Sequence, residues 1–182
     1  MSASGPSAAD VVAFWREAGA DLWFARDADF DLRCRSALLD LHMTAAARTL
    51  DDWLETAEGA LALVLLTDQI PRNAFRGTAH MFATDPLARH FARRAAAAGF
   101  VERVEPDLNG FLLLPFEHSE DIADQERSVE GCRKWAPDWL AYAERHREII
   151  RRFGRFPHRN ALLGRETTPE EAAFLAAGGF AG

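Results

Sequence analysis

The chain has 182 residues, of which 48% are hydrophobic, with a net charge of −7 and a pI near 5.4. That length suits one domain, residues 1–182, with a sizeable core, and the apolar share excludes a disordered chain. The negative charge excludes a general nucleic-acid binder, and the longest apolar run, Ala60–Leu66, is far too short to span a bilayer. Residues 1–6 read as a flexible tail, and Met1–Ala9 has neither a basic start nor an apolar signal core, so the cytoplasm is the expected compartment.

Strand signals are nearly absent and helix punctuation is dense. Ser7 is placed to cap a first helix carrying Val11, Val12 and Trp15, which Gly19 stops. A second helix starts near Asp27 or Asp29, with the stripe Phe30, Cys34, Leu38, Leu41 and Ala45. Thr56 precedes a third, Ala57 to about Gln69, apolar on most faces and therefore buried, which Pro71 ends or kinks. Asp85-Pro86 caps a helix with Leu87, Phe91 and Ala95 on one stripe, stopped by Gly99. A further helix runs from about Asp107 to Phe116, disturbed by Pro115. Ser119 caps the next, Glu120 to Lys134, and Asp138 opens a long helix closed by Gly154. Thr168-Pro-Glu-Glu171 is a capping box for the last one. The expectation is an all-α fold of about eight short helices.

Two segments echo each other. Pro71-Arg-Asn-Ala-Phe-Arg-Gly77 and Pro157-His-Arg-Asn-Ala-Leu-Leu-Gly164 both place Arg-Asn-Ala-x-x-Gly shortly after a proline. A shared helical turn, opened by Pro and stopped by Gly, is one reading. The sharper one is that two Arg-Asn pairs face a single pocket. Cys34 and Cys132 have no paired spacing and read as small buried residues. Neither a metal site nor a cofactor is expected.

Longer motifs surround these features: Leu61-Ala-Leu-Val-Leu-Leu-Thr-Asp-Gln-Ile-Pro-Arg-Asn73, Phe82-Ala-Thr-Asp-Pro-Leu-Ala88, His118-Ser-Glu-Asp121, Asp124-Gln-Glu-Arg-Ser-Val129, Arg152-Phe-Gly-Arg-Phe-Pro-His-Arg-Asn160 and Leu163-Gly-Arg-Glu166. Over nearly its whole length the chain resembles a bacterial family known as domain of unknown function nine-two-four. The resemblance implies an all-α fold of degenerate tetratricopeptide-like helical hairpins and implies no settled activity. Glu117 departs from the family pattern, which leads one to expect a less polar residue before the His-Ser-Glu-Asp run.

Three polar clusters carry whatever chemistry the chain has. Asp68, Gln69, Arg72, Asn73 and Arg76 follow directly on the buried helix, with positions 68, 72 and 76 on one face. His118, Ser119, Glu120, Asp121, Asp124, Gln125 and Glu126 hold the carboxylates and imidazole that proton transfer needs. His146, Arg152, Arg155, His158, Arg159, Asn160 and Arg165 lie in a stretch, Arg145 to Arg165, that holds seven arginines and one acid. His146 sits on an apolar face and reads more readily as a satisfied core histidine.

The expected ligand-binding residues are Asp68, Gln69, Arg72, Asn73, Asp124, Arg155, Arg159 and Asn160. The candidates for catalysis are His118, Glu120 and His158. Convergence of the three clusters on one hollow between helices would make a site for a small anionic molecule or peptide. The alternatives are a small enzyme with a His/Glu acid–base pair and arginine anchors, or a structural or interaction protein whose clusters are inter-helix salt bridges. No nucleic-acid or membrane partner is expected, and the oligomeric state is open.

Overall fold

The structure, a computed structural model, describes residues 5–180; residues 1–4 of the expected tail lie outside the described residues. Among the described residues there is no strand, and the all-α expectation is met.

The first helix, α1 (Ala8–Ala18), begins at Ser7, whose side chain and that of Asp10 cap each other's backbone in a capping box, and it stops at Gly19. A single turn, α2 (Ala20–Trp23), follows. In α3 (Ala28–Ala46), capped by Asp27, the buried face is Phe30, Cys34, Leu38, His42 and Ala45. Leu41, expected on that stripe, is half-buried, and His42 takes its place.

Thr56 caps α4 (Ala57–Val64), which runs without a break through a π-turn, Leu65–Gln69, into α5 (Ile70–Ala74). Pro71 neither ends nor breaks this rod. The expanded turn bonds the Ile70 N–H back to the Leu65 carbonyl, five residues away. Proline then falls in the first turn of α5, where a missing N–H is tolerated.

Next come α6 (Asp85–Ala97), α7 (Pro106–Asn109) and α8 (Leu114–Glu117). The expected helix Asp107–Phe116 is thus two short turns, α7 and α8, joined by the tighter turn Gly110–Leu112. After α9 (Ile122–Trp135) the turn Pro137–Trp139 leads to α10 (Leu140–Phe153), which Gly154 closes with φ of 69° in the left-handed region. The Thr168 capping box opens α11 (Pro169–Ala176) as expected.

Three caps differ from expectation. Thr84, not Asp85, stands at the N-cap of α6. Asp121, not Ser119, caps α9, so Glu120 lies outside that helix. Asp138 sits inside the turn Pro137–Trp139 rather than at a cap.

The α4 rod is the centre of the packing, against α1 and α6, while α3 packs on α5 and α9 on both α8 and α10. Every side chain from Ala60 to Leu66 is buried, so the rod has no solvent face to amortise a polar residue. Each buried Leu there contributes about 1.5–3 kcal/mol. Gly59 lets the rod start against the preceding turn: a Cβ at this position would lie 2.0 Å from the Trp53 carbonyl oxygen. Trp15, Phe111, Trp23 and Trp139 form an edge-to-face aromatic group with centroids 5.1–5.5 Å apart. A separate small cluster gathers Ile149, Ile150 and Phe156 under Phe153, Phe174 and Phe180.

Candidate functional site

The π-turn is where the apolar rod becomes polar. Four successive carbonyls of this stretch each receive a side-chain donor. His42 Nδ1 donates to Leu66 O at 2.7 Å and Thr84 Oγ1 to Thr67 O at 2.6 Å. Arg72 donates to Asp68 O, and Asn73 Nδ2 to Gln69 O at 3.1 Å. A widened turn inside a core loses regular backbone pairing, and these side chains restore it. Its product is a fixed, fully buried carboxylate, Asp68.

Both oxygens of Asp68 are engaged. His118 Nδ1–H donates to Oδ1 at 2.8 Å, and Gln69 Nε2 donates to Oδ2 at 2.6 Å. Arg72 lies 3.4 Å from Oδ1. Burial alone would raise this carboxyl, but the Arg72 charge, His118 and the two hydrogen bonds outweigh it and hold Asp68 well below the ordinary carboxylate range. His118 is lowered, first by burial and then by the Arg72 charge, against the pull of Asp68. The pair therefore stands as carboxylate and neutral imidazole near neutrality. With the proton on Nδ1, the lone pair is on Nε2, which no side chain or backbone group among the described residues engages.

Beyond Arg72 the chain of charge continues. Arg72 makes a bidentate pair with Asp85 at 3.0 and 3.2 Å, and Arg159 reaches the same Asp85 at 3.4 Å. The two arginines of the sequence echo thus share one carboxylate. The echoed asparagines do not meet: Asn73 supports the π-turn and accepts from Arg76, while Asn160 donates to Thr167 and Glu171.

Arg159 is held differently from Arg72. Its guanidinium packs against the rings of Phe82 and Phe156, 4.6 Å from each centroid. Its bond to Asp85 is long, and its Nε is buried without a partner among the described residues. Burial, then the Arg72 charge, bring it down to about 10.

A second buried pair adjoins the first. Glu117 Oε1 lies 3.0 Å from His146 Nδ1, whose proton also reaches the Tyr142 carbonyl at 2.8 Å. Burial, reinforced by the Asp68 charge, pushes Glu117 up to about 8. Burial holds His146 down to about 3, and burial with the Arg159 charge does the same for His158. Asp68 and Glu117 are therefore two nearby carboxyl groups driven in opposite directions.

The other expected residues are committed elsewhere. Glu120 makes a bidentate pair with Arg165 at 2.8 and 2.9 Å and accepts the Phe156 N–H at 2.9 Å, which fixes the ring beneath Arg159. It does not touch His118, so the expected His/Glu acid–base pair is replaced by His118 with Asp68. Asp124, expected in the pocket, instead binds Arg93, Arg127 and Ser119 on another face. Arg155 pairs with Glu171 at 2.6 and 2.9 Å, away from Asp85. Arg76 leaves the Asp68 face to pair with Asp31. His158 packs against Phe156 and Phe180, its Nδ1 buried without a partner.

Three members of the cluster were missed in the sequence: Asp85, Phe82 and Glu117. Asp85 looked like a cap because of Pro86, and Phe82 carries no charge to mark it. The signal for Glu117 is a carboxylate standing where the family pattern leads one to expect a less polar residue.

Two clefts of about 560 Å³ are lined by other residues, one by Arg93, Ala96, Phe116 and Arg127, the other by Glu102, Val104, Pro106, Asn109, Lys134 and Trp135. Among the described residues no group of three His, Cys, Asp or Glu side chains is placed to hold a metal ion. No helix there is long and apolar enough to cross a membrane.

Comparison with known proteins gives one solved structure of high similarity, described as "Structure of Protein of Unknown Function ATU0120 from Agrobacterium tumefaciens". It is 55% identical, with a TM-score of 0.91 over 93% of this chain and 97% of that one. No curated protein matches. Residues 11–179 match the family described as "Bacterial protein of unknown function (DUF924)", and the chain belongs to that family.

Proposed function

We propose that the protein binds a small anionic molecule, a carboxylate or phosphate, on the guanidinium of Arg159 with Arg72 beside it. One observation carries this reading: Arg159 is buried, packed against two phenyl rings, and makes a single 3.4 Å bond to a carboxylate it shares. Burying a cation is costly unless its donors are used. An anionic ligand meeting the free donor edge would complete that bonding. Phe82, against the guanidinium, is half-buried. The free, buried thiols of Cys34 and Cys132 fit a reducing compartment, and we assign the protein to the cytoplasm.

Calorimetric titration with acetate, succinate, glutarate, inorganic phosphate and a short acidic peptide tests the reading. At least one of these should bind the wild type, and Arg159→Lys should lose it, because an ammonium cannot reproduce the planar fork packed against the two rings. Binding by none of them, or equal binding by R159K, ends the proposal. For Asp124, Glu120 and Arg155 the structural reading is favoured, since each already has an arginine or carboxylate partner within 2.9 Å.

A further inference from the structure

We propose that this site is catalytic and hydrolytic: His118 activates a water against the carbonyl of a small ester that also carries a carboxylate, and Asp68 positions the imidazole. The inference rests on the anion-binding role of Arg159 proposed above and adds a reaction to it.

The argument begins with orientation. Asp68 accepts from His118 Nδ1 at 2.8 Å, and the π-turn together with Gln69 fixes that carboxylate. The hydrogen bond selects one tautomer and one ring direction, so a lone pair is presented on Nε2. The His118 side chain is 14% exposed while Asp68 is fully buried, so of the two it is the carboxylate that is closed off from solvent. This is the arrangement of a general base with its orienting group.

What the base acts on follows from its surroundings. Among the described residues no Ser, Thr or Cys side chain is hydrogen-bonded to His118. Ser119, next in sequence, donates to Asp124 at 3.0 Å, and both cysteines are buried with thiols pushed up to about 12 by burial. The base therefore has no protein nucleophile to activate, and water is the remaining one. Burial and the Arg72 charge weaken the imidazole as a base. That suits water, which loses its proton as it attacks, better than a carbon acid, which needs a stronger base.

Atoms and charge balance without another reagent. His118 Nε2 takes a proton from water as the new C–O bond forms, and the carbonyl electron pair moves onto oxygen. The adduct then collapses, the C–O bond to the leaving alcohol breaks, and the imidazolium returns its proton to that oxygen. The products are a carboxylic acid and an alcohol. Arg159, linked to the dyad through Asp85 and Arg72, anchors the substrate's second carboxylate and selects for hemiesters of dicarboxylic acids.

The test uses mono-para-nitrophenyl glutarate and succinate against neutral para-nitrophenyl butyrate, with glutarate binding followed in parallel by calorimetry. The wild type should hydrolyse a hemiester in preference to the neutral ester. His118→Gln should lower kcat ~100-fold or more while leaving glutarate binding in place. Asp68→Asn should lower kcat and move its pH midpoint downward, since the carboxylate's charge favours the imidazolium; a purely structural residue would not move that midpoint. If Asp68→Asn fails to fold, H118Q and the wild-type pH profile still decide the matter. A wild type that binds glutarate but turns over no hemiester overturns the reaction and leaves the binding reading standing, as does hydrolysis unaffected by H118Q. Absence of both binding and turnover removes both.

Discussion

Replacing Asp85 by alanine removes the carboxylate shared by the two echoed arginines. The 3.0, 3.2 and 3.4 Å bonds disappear together, leaving Arg72 and Arg159, with side chains 16% and 8% exposed, one anion short. Removing one partner from a buried ion pair costs about 3–5 kcal/mol, most of it from the charges left behind. Asp85 also opens α6, where loss of a negative charge near the helix N-terminus costs about 0.3–1 kcal/mol. In a chain of this size each kcal/mol lowers Tm by roughly 2–4 °C, so D85A should melt roughly 7–24 °C below the wild type. The assay is calorimetric melting at neutral pH, at constant ionic strength, with and without acetate. Acetate is the size of the deleted group and should recover more stability in D85A than it adds to the wild type. A D85A variant melting within about 2 °C of the wild type would refute the premise that these charges form one buried network.

Stability should peak near pH 6.5 in urea denaturation. Glu117, raised to about 8, keeps in the folded chain a proton that the unfolded chain releases above about 4.3, so its contribution is lost as pH climbs through 8. His146 and His158, held down to about 3, contribute stability above about 6.5 that is lost as pH falls toward 3. Between pH 6.5 and 8 the expected loss is about 1–2 kcal/mol, and Glu117→Gln should flatten that limb; an unchanged slope in E117Q would assign it to another group. His42→Ala strips the donor from Leu66 O inside the core and should cost about 2–4 kcal/mol in denaturant titration, with a value under about 0.5 showing that the π-turn does not depend on it. Gly59→Ala drives a methyl into the Trp53 carbonyl and should cost about 1–3 kcal/mol by the same measurement.

Helix starts were readable where a side chain caps its own helix. Ser7, Asp27, Thr56 and Thr168 all do so, because that information is local. Asp85 and Ser119 failed for the opposite reason: each looks like a cap, yet the Asp85 carboxylate serves arginines from distant segments, and the Ser119 hydroxyl is given to Asp124. The π-turn was likewise hidden, since its carbonyls are satisfied by His42 and Thr84, residues far from it in sequence. Arg72 and Arg159 could be paired in advance through the echo around them, but the carboxylate between them could not. The sequence puts Glu120 and Asp124 on one helix, Glu120 to Lys134, but only Asp124 lies in it. The backbone instead turns at Ser119–Asp121, which sends their side chains to different partners.

A π-turn amounts to one surplus residue threaded into a helix. Excising a single residue between Leu65 and Gln69 would turn the five-residue bond from Ile70 back to Leu65 into an ordinary four-residue one, and the helix beyond would keep its phase. The widened turn that aims Asp68 at His118 would be lost, while the stretch carrying Arg72 would keep its face. A deletion upstream, between Gly59 and Val64, has no widened turn of its own to absorb it and would swing all that follows by about 100° around the axis, so it should be the more damaging of the two.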